Sequence, residues 1–167
     1  MPLIRPFRLA DADDLLAIRN RWIFAVDAAL YSAEQRTSWV TDRRPDAFAK
    51  SVANGVTLLV AEQDGRPAGY CGHRVEGSDG RITALHVDPE AQGAGLGRAL
   101  LQHAERALFA RGVPRILVQA SLPAQPFYAA QGYRVARRHT VPTGGGLEIA
   151  VAAMEKPRPV DAARAVV

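Results

Sequence analysis

Three glycines alternate in Gln92-Gly93-Ala94-Gly95-Leu96-Gly97-Arg98, between a strand-like run, Ile82–Val87, and an apolar helical stripe that begins at Leu96. Glycine at such a junction lets the backbone turn with φ > 0 and leaves bare main chain for a ligand to approach. The first turn of a helix carries N–H groups without partners and a partial positive charge. Together they predict an anion site, with phosphate as the natural anion. Two phosphate motifs fail on detail. A P-loop ends in Gly-Lys-Ser/Thr, where this chain has Gly97-Arg98-Ala99. A dinucleotide fingerprint spaces its glycines G-x-G-x-x-G, with an acidic residue about 20 positions on. Here the spacing is G-x-G-x-G, and the next strand runs into Gln119. A plain glycine-rich turn remains as the bland alternative.

The elements that must hold this turn can be traced from Leu3 onward. "LIRPFRL" reads as an edge strand bent by Pro6. Asp11 offers an N-cap to a helix whose apolar positions are Leu15, Ile18 and Trp22. Ser32 and Gln35 form a capping-box pattern, and a short helix follows Pro45 to about Ala53. Strands flank the Asp64-Gly65 turn, and a third, "RITALHV", stops at Pro89. Leu96, Leu100, Ala104, Ala107 and Leu108 make the stripe of the next helix. "PRILVQAS" is a strand and "PAQPFYAAQ" a short helix. "YRVARR" and "LEIAVAAM" are closing strands around the loop "HTVPTGGG". This order predicts one mixed α/β domain over residues 1–156 and a flexible tail at 157–167.

The combination of motifs is more specific than any one of them. The Gln92–Gly97 turn resembles the Q/R-x-x-G-x-G/A signature of the GCN5-related N-acetyltransferase (GNAT) superfamily. "LHVDP" looks like that family's central strand with its proline stop, and "FYAAQGY" (Phe127–Tyr133) like its closing aromatic element. The order of elements matches over about residues 3–155. The resemblance implies a sheet of about six to seven strands, helices on both faces, and splayed central parallel strands. It implies acetyl-CoA as acyl donor, no metal, and direct transfer of the acetyl group to a primary amine. Carried over by position, the main chain of Leu85, His86 and Val87 would contact the pantetheine arm. Gln92, Gly93, Ala94, Gly95, Leu96, Gly97 and Arg98 would bind the pyrophosphate. The N–H near Val87 would polarise the thioester carbonyl.

Catalytic candidates follow from the same resemblance. Tyr128 matches a tyrosine that acts as general acid toward the CoA sulfur; a core aromatic is its alternative. Some relatives place a glutamate base where this chain has Gln119. His86 is then the best candidate base, on the strand face opposite Leu85 and Val87 by the period of two. Its alternative is a histidine that merely lines the sheet. Glu76 acting through water, His73 and His139 are lesser candidates. Phe24, Tyr31 and Trp39 could line an acceptor pocket, though aromatics at helical spacing belong more often to a core. Asp27 and Glu34 could meet a cationic amine, with a solvated helix face as the preferred alternative.

Bulk properties set the outer limits. A net charge of +4 in 167 residues and a pI of about 9.7 suit an anionic ligand. The arginines are scattered, with short pairs at Arg43-Arg44 and Arg137-Arg138, so no nucleic-acid partner is expected. No apolar stretch approaches the roughly 20 residues of a membrane span, and no membrane partner is expected. The lone Cys71 excludes an internal disulfide, fits a cytoplasmic location, and reads as buried filler. The expected partner is a small-molecule amine, with a protein amine as alternative. A homodimer is an expectation that the resemblance alone brings. A non-catalytic acyl-CoA-binding module on the same fold is the rival from another class.

Overall fold

The computed structural model describes residues 2–41 and 43–160. Period-two burial through the middle of the chain builds one sheet from β1 (Leu3–Pro6), β2 (Thr57–Gln63), β3 (Arg66–Glu76), β4 (Asp79–Val87), β5 (Arg115–Ser121), β6 (Arg134–Pro142) and β7 (Glu148–Pro157). The strand order is β1-β2-β3-β4-β5-β7-β6. Only the central pair, β4 and β5, is parallel. The helices are α1 (Ala12–Phe24), α2 (Ala33–Val40), α3 (Asp46–Ala53), α4 (Leu96–Ala110) and α5 (Gln125–Ala130). This is the mixed α/β sheet, with helices on both faces, that the sequence predicts. No helix among the described residues is long and apolar enough to cross a membrane.

Each face has its own core. Leu96, Leu100, Leu101, Ala104 and Leu108 of α4 pack on Cys71, Ile82, Ile116 and Val118 of the sheet. On the other face, Leu15 and Ile18 of α1 and Phe48 of α3 cover Leu58, Val60 and Tyr70. A third cluster, Val26, Tyr31, Ile149 and Val151, lies beneath the α1–α2 connection and takes Trp22 and Trp39 against it.

Several local expectations change. Asp11 does not cap α1 with its side chain. Its carboxylate instead accepts two bonds from the Arg5 guanidinium at 2.8 Å and one from the Arg8 N–H at 2.7 Å. A two-bond fork to a guanidinium outcompetes a single bond to a helix N–H. The Ser32–Gln35 capping box forms as expected. On α4, Ala107 is exposed, while Leu101 and Glu105 are buried instead. Lys156 of β7 pairs with Glu105 at 2.9 Å, which makes its burial tolerable. The last hairpin is longer than expected. His139 to Pro142 belong to β6, opposite Val151 to Glu148, because a proline at the end of an edge strand removes no needed ladder bond. β7 runs to Pro157, and the Arg158 N–H bonds to the Pro114 carbonyl at 2.9 Å. The rest of the expected tail, 161–167, lies outside the described residues.

The sheet is interrupted at its centre. β4 and β5 pair at three positions, Gly80 with Ile116, Arg81 with Leu117 and Ile82 with Val118, and no further. At that point β4 carries an extra residue: Gly72 faces Ala84 and His73 faces Ile82, which leaves Thr83 as a bulge. A bulge bends its strand and ends regular pairing. Gly72 permits it, since a Cβ there would come within 3.0 Å of Thr83 Oγ1. We therefore expect Gly72→Ala to cost about 1–3 kcal/mol, the usual penalty of overpacking. Gly72→Ala/Thr83→Ala should recover part of it, read as melting temperature. Equal losses in the single and double variants would refute the contact.

Candidate active site

Beyond Ile82, the edge of β4 that faces β5 has no strand partner, so Thr83–Val87 present main-chain groups to a gap. The gap opens into a cleft of about 640 Å³. One wall is the turn after β4. Gly93 and Gly95 take φ of +88° and +77°, values that disfavour any other residue. Gly95 is the N-cap of α4, without a side-chain cap, and the first turn has no acidic residue. The first bond into the helix is Ala99 N–H to the Gly95 carbonyl at 3.0 Å, so the N–H groups of Leu96, Gly97 and Arg98 have no helical partner. A Cβ on Gly97 would lie 3.5 Å from Val87 Cγ2 and 3.6 Å from the Phe127 ring, so a side chain there would enter the cleft wall. These features fit an anionic group carried on a long arm.

The expected donor residues divide as follows. Leu85, Val87, Gln92, Gly93, Gly95, Leu96, Gly97 and Arg98 line the cleft. Ala94 is exposed at the tip of the turn and does not line it. Leu85 and Val87 pack toward α4, and His86 points to the opposite face against Tyr70, as the period of two requires.

Tyr128 lies in α5, behind Phe127, and also lines the cleft. It is the only hydroxyl side chain among the described lining residues. Its ring packs edge-on against Phe127 and Tyr133. Burial pushes its phenol well above the usual tyrosine range, so it stays protonated. Cys71 lies in the core under α4, its thiol pushed up to about 12 by burial, and holds no thiolate at neutral pH.

The histidines are placed very differently. His86 Nδ1 is 2.9 Å from the Tyr70 hydroxyl, and its ring meets Trp22 edge-on at 4.9 Å. Burial, reinforced by the positive charges of Arg19 and Arg43, drives its pKa down to about 3. It is neutral at physiological pH but a poor proton acceptor. His139 Nε2 is 3.2 Å from Gln119 Oε1, and neither lines the cleft. His73 is buried on β3, and burial lowers its pKa first, with His103 and Arg111 adding to it. Glu76 pairs with Arg74 and Arg81 at the far end of β4. At about 3.3 Å per residue it stands roughly 20 Å from Leu85.

The wall opposite the glycine turn is the end of α1 and the chain after it: Trp22, Ala25, Val26, Asp27 and Leu30. Of these, only Asp27 figures among the acceptor candidates from sequence. Trp22 is readable there only as part of an apolar helical stripe, a signal that does not separate core from cleft. Tyr31 and Trp39 go to the core. The Tyr31 hydroxyl donates to the Ala150 carbonyl at 2.6 Å and accepts from the Leu122 N–H at 2.8 Å. Phe24 is 49% exposed and Glu34 lies in a separate shallow groove beside Ser38 and Gly145. Arg21 of α1 pairs with Asp88, which also accepts from the Glu90 N–H at the start of the glycine turn. That ion pair ties the two walls together.

The chain is similar to known proteins in sequence and in fold. A family model described as Acetyltransferase (GNAT) domain matches residues 27–147. A mycothiol acetyltransferase of Kineococcus radiotolerans is 33% identical over 133 residues, covering 78% of this chain and 42% of that protein. A putative [ribosomal protein bS18]-alanine N-acetyltransferase of Bacillus subtilis is 34% identical over 121 residues, covering 70% of this chain and 79% of that one. A GCN5-related N-acetyltransferase structure from Rhodopseudomonas palustris superposes with a TM-score of 0.85 at 31% identity, over 94% of this chain and 96% of that one. The chain thus spans less than half the length of the mycothiol acetyltransferases it matches.

The setting of His86 generates a pH dependence. Its pKa falls from 6.5 to about 3 on folding, so between these values the unfolded chain binds a proton that the folded chain refuses. The stability that comes from keeping it neutral is complete above pH 6.5 and is lost as pH falls toward 3. His86→Gln should flatten the fall in melting temperature between pH 6.5 and 4. Parallel curves for the two proteins would show that His86 is not held neutral.

Proposed function

The chain belongs to the GNAT acetyltransferase family, and from that premise we propose that it transfers an acetyl group from acetyl-CoA to the primary amine of a small molecule. The observation that carries this reading is one continuous cleft, from the uncapped glycine turn, along the unpaired edge of β4, to Tyr128. When bound, acetyl-CoA supplies a thioester carbonyl for an amine to attack.

The residues divide the labour by type. The N–H groups of Leu96, Gly97 and Arg98 hold the pyrophosphate, helped by the helix dipole and the Arg98 charge. Gln92, Gly93 and Gly95 shape the approach, and Ala94 contributes backbone alone. The main chain of Leu85 and Val87 aligns the pantetheine arm like an added strand, while the His86 main chain faces β3 and holds that edge in register. The N–H at Val87 polarises the carbonyl; such a donor is fixed before reaction and costs no reorganisation. Tyr128 keeps its proton and donates a hydrogen bond to the departing sulfur. Since a phenol holds its proton more tightly than an ordinary thiol, the hydrogen bond acts first and full proton transfer comes late. His86 serves as a positioning residue: its neutral ring braces Trp22 and Tyr70 behind the acceptor wall. With its pKa near 3, it leaves removal of the amine proton to water.

A small acceptor is favoured by the lining. Its charged side chains are Asp27 and Arg98, and its acceptor wall is otherwise apolar, with no row of hydrogen-bonding groups of the kind an extended peptide pairs with.

Two measurements test the reading. Acetyl-CoA at about 100 times its dissociation constant should add about 2.7 kcal/mol of stability. For a domain of this size, that raises the melting temperature by roughly 5–10 °C. Tyr128→Phe should keep that shift while kcat for thiol release in the presence of an amine panel falls about 100-fold. No shift would remove the donor site. A shift without turnover in the unaltered protein would favour a binding module, and turnover of protein N-termini alone would reassign the acceptor.

A further inference from the structure

Resting on the acetyl-transfer reading, we infer that the acceptor is a cationic primary amine on an apolar body, with no carboxylate beside the amine, and that Asp27 binds its ammonium group. The cleft has a polarity that fixes where each partner enters. Its cationic end is the glycine turn with Arg98, which suits the donor's phosphates. An amine must arrive at the other end, where the chain leaving α1 forms the wall. There Trp22, Val26 and Leu30 supply an apolar surface, with Leu30 still 42% exposed. Among the described lining residues Asp27 is the one carboxylate.

Its carboxylate is held in place and yet unneutralised. Asp27 Oδ1 accepts the Ala29 N–H at 2.8 Å, and the Asp27 carbonyl accepts Leu30 N–H at 2.9 Å, so the turn is rigid. Among the described residues no cation pairs with it. The guanidinium of Arg36 donates to the carbonyls of Phe24 and Val26, just before Asp27 in the chain. Asp11, Glu62, Asp88, Glu105 and Glu155 all have cationic partners. An unpaired carboxylate on an apolar wall attracts an ammonium and repels a second carboxylate, which separates a simple amine from an amino acid.

The test compares 2-phenylethylamine with phenylalanine, which differ by one carboxylate, as acceptors for acetyl-CoA. The unaltered protein should prefer 2-phenylethylamine at least tenfold in kcat/KM. Asp27→Asn should raise KM for 2-phenylethylamine about tenfold, leave kcat within twofold, and shrink the preference. Asp27→Glu should restore most of it. The melting shift with acetyl-CoA should be the same in all three proteins. Failure to use 2-phenylethylamine, or an unchanged KM in Asp27→Asn, overturns the inference while the donor site stands. Loss of the acetyl-CoA shift in the unaltered protein overturns the reading beneath it.

Discussion

The parting of β4 from β5 after three residue pairs is the constraint on which the rest of the molecule depends. A sheet that stayed zipped to Val87 would have no cleft. Its main-chain donors and acceptors would be consumed by their neighbours, and the glycine turn would face a closed wall. The bulge at Thr83 sets the point of parting, and Gly72 on the adjacent strand makes room for it. An unpaired strand edge inside a sheet is costly, since each buried polar group without a partner forfeits a hydrogen bond. The fold tolerates it because β5 keeps its other edge paired to β7 throughout, from Arg115 to Ser121. β4 is likewise paired to β3 up to Val87. Each strand of the open pair is held from its outer side.

Holding the gap open also requires that its rims not drift. Two cross-links do this, one from α1 and one from the connection that follows it. The Tyr31 hydroxyl bridges the carbonyl of Ala150 on β7 and the N–H of Leu122 just past β5. The Arg21–Asp88 pair joins α1 to the start of the glycine turn. The arginine is half exposed, so its charge attraction alone contributes little to stability. Its value is geometric: a forked guanidinium fixes two elements in one orientation. The end of α1 and the same connection carry the acceptor wall, so the position of that wall and the width of the gap are set by one set of contacts.

What could be read in the sequence was what a local demand imposes. Gly93 and Gly95 had to mark a turn, because their positive φ angles are nearly reserved for glycine. The opposed faces of His86 and Leu85 followed from strand alternation alone. The Ser32–Gln35 box was a local signal and formed locally. The bulge at Thr83 was illegible because it exists only through a register with Gly72, eleven positions away. Asp11 stands at the N-cap of α1 as its type suggests, but its side chain does not cap for a similar reason: its partner Arg5 comes from the strand before it, and propensity cannot see that competition. Leu15, Ile18 and Trp22 share helical spacing, yet Trp22 reaches the cleft while the other two fill the core. Periodicity assigns a face to each residue and does not say what lies opposite that face.

The two halves of the proposed site differ in how they tolerate change. The donor half is built from backbone: strand edge, turn and helix start. Substitutions there matter when they alter conformation or fill space, as at Gly95 or Gly97, and matter little otherwise. The acceptor half is built from side chains on α1 and the chain after it, where one change of charge or volume alters what fits. Such a division lets acceptor preference diverge while the donor cleft persists. It accounts for a chain about one-third identical to two relatives with different names, a mycothiol acetyltransferase and a putative [ribosomal protein bS18]-alanine N-acetyltransferase. Acceptor identity must therefore be argued from Trp22, Asp27 and Leu30, because the glycine turn, however specific, speaks to the donor alone.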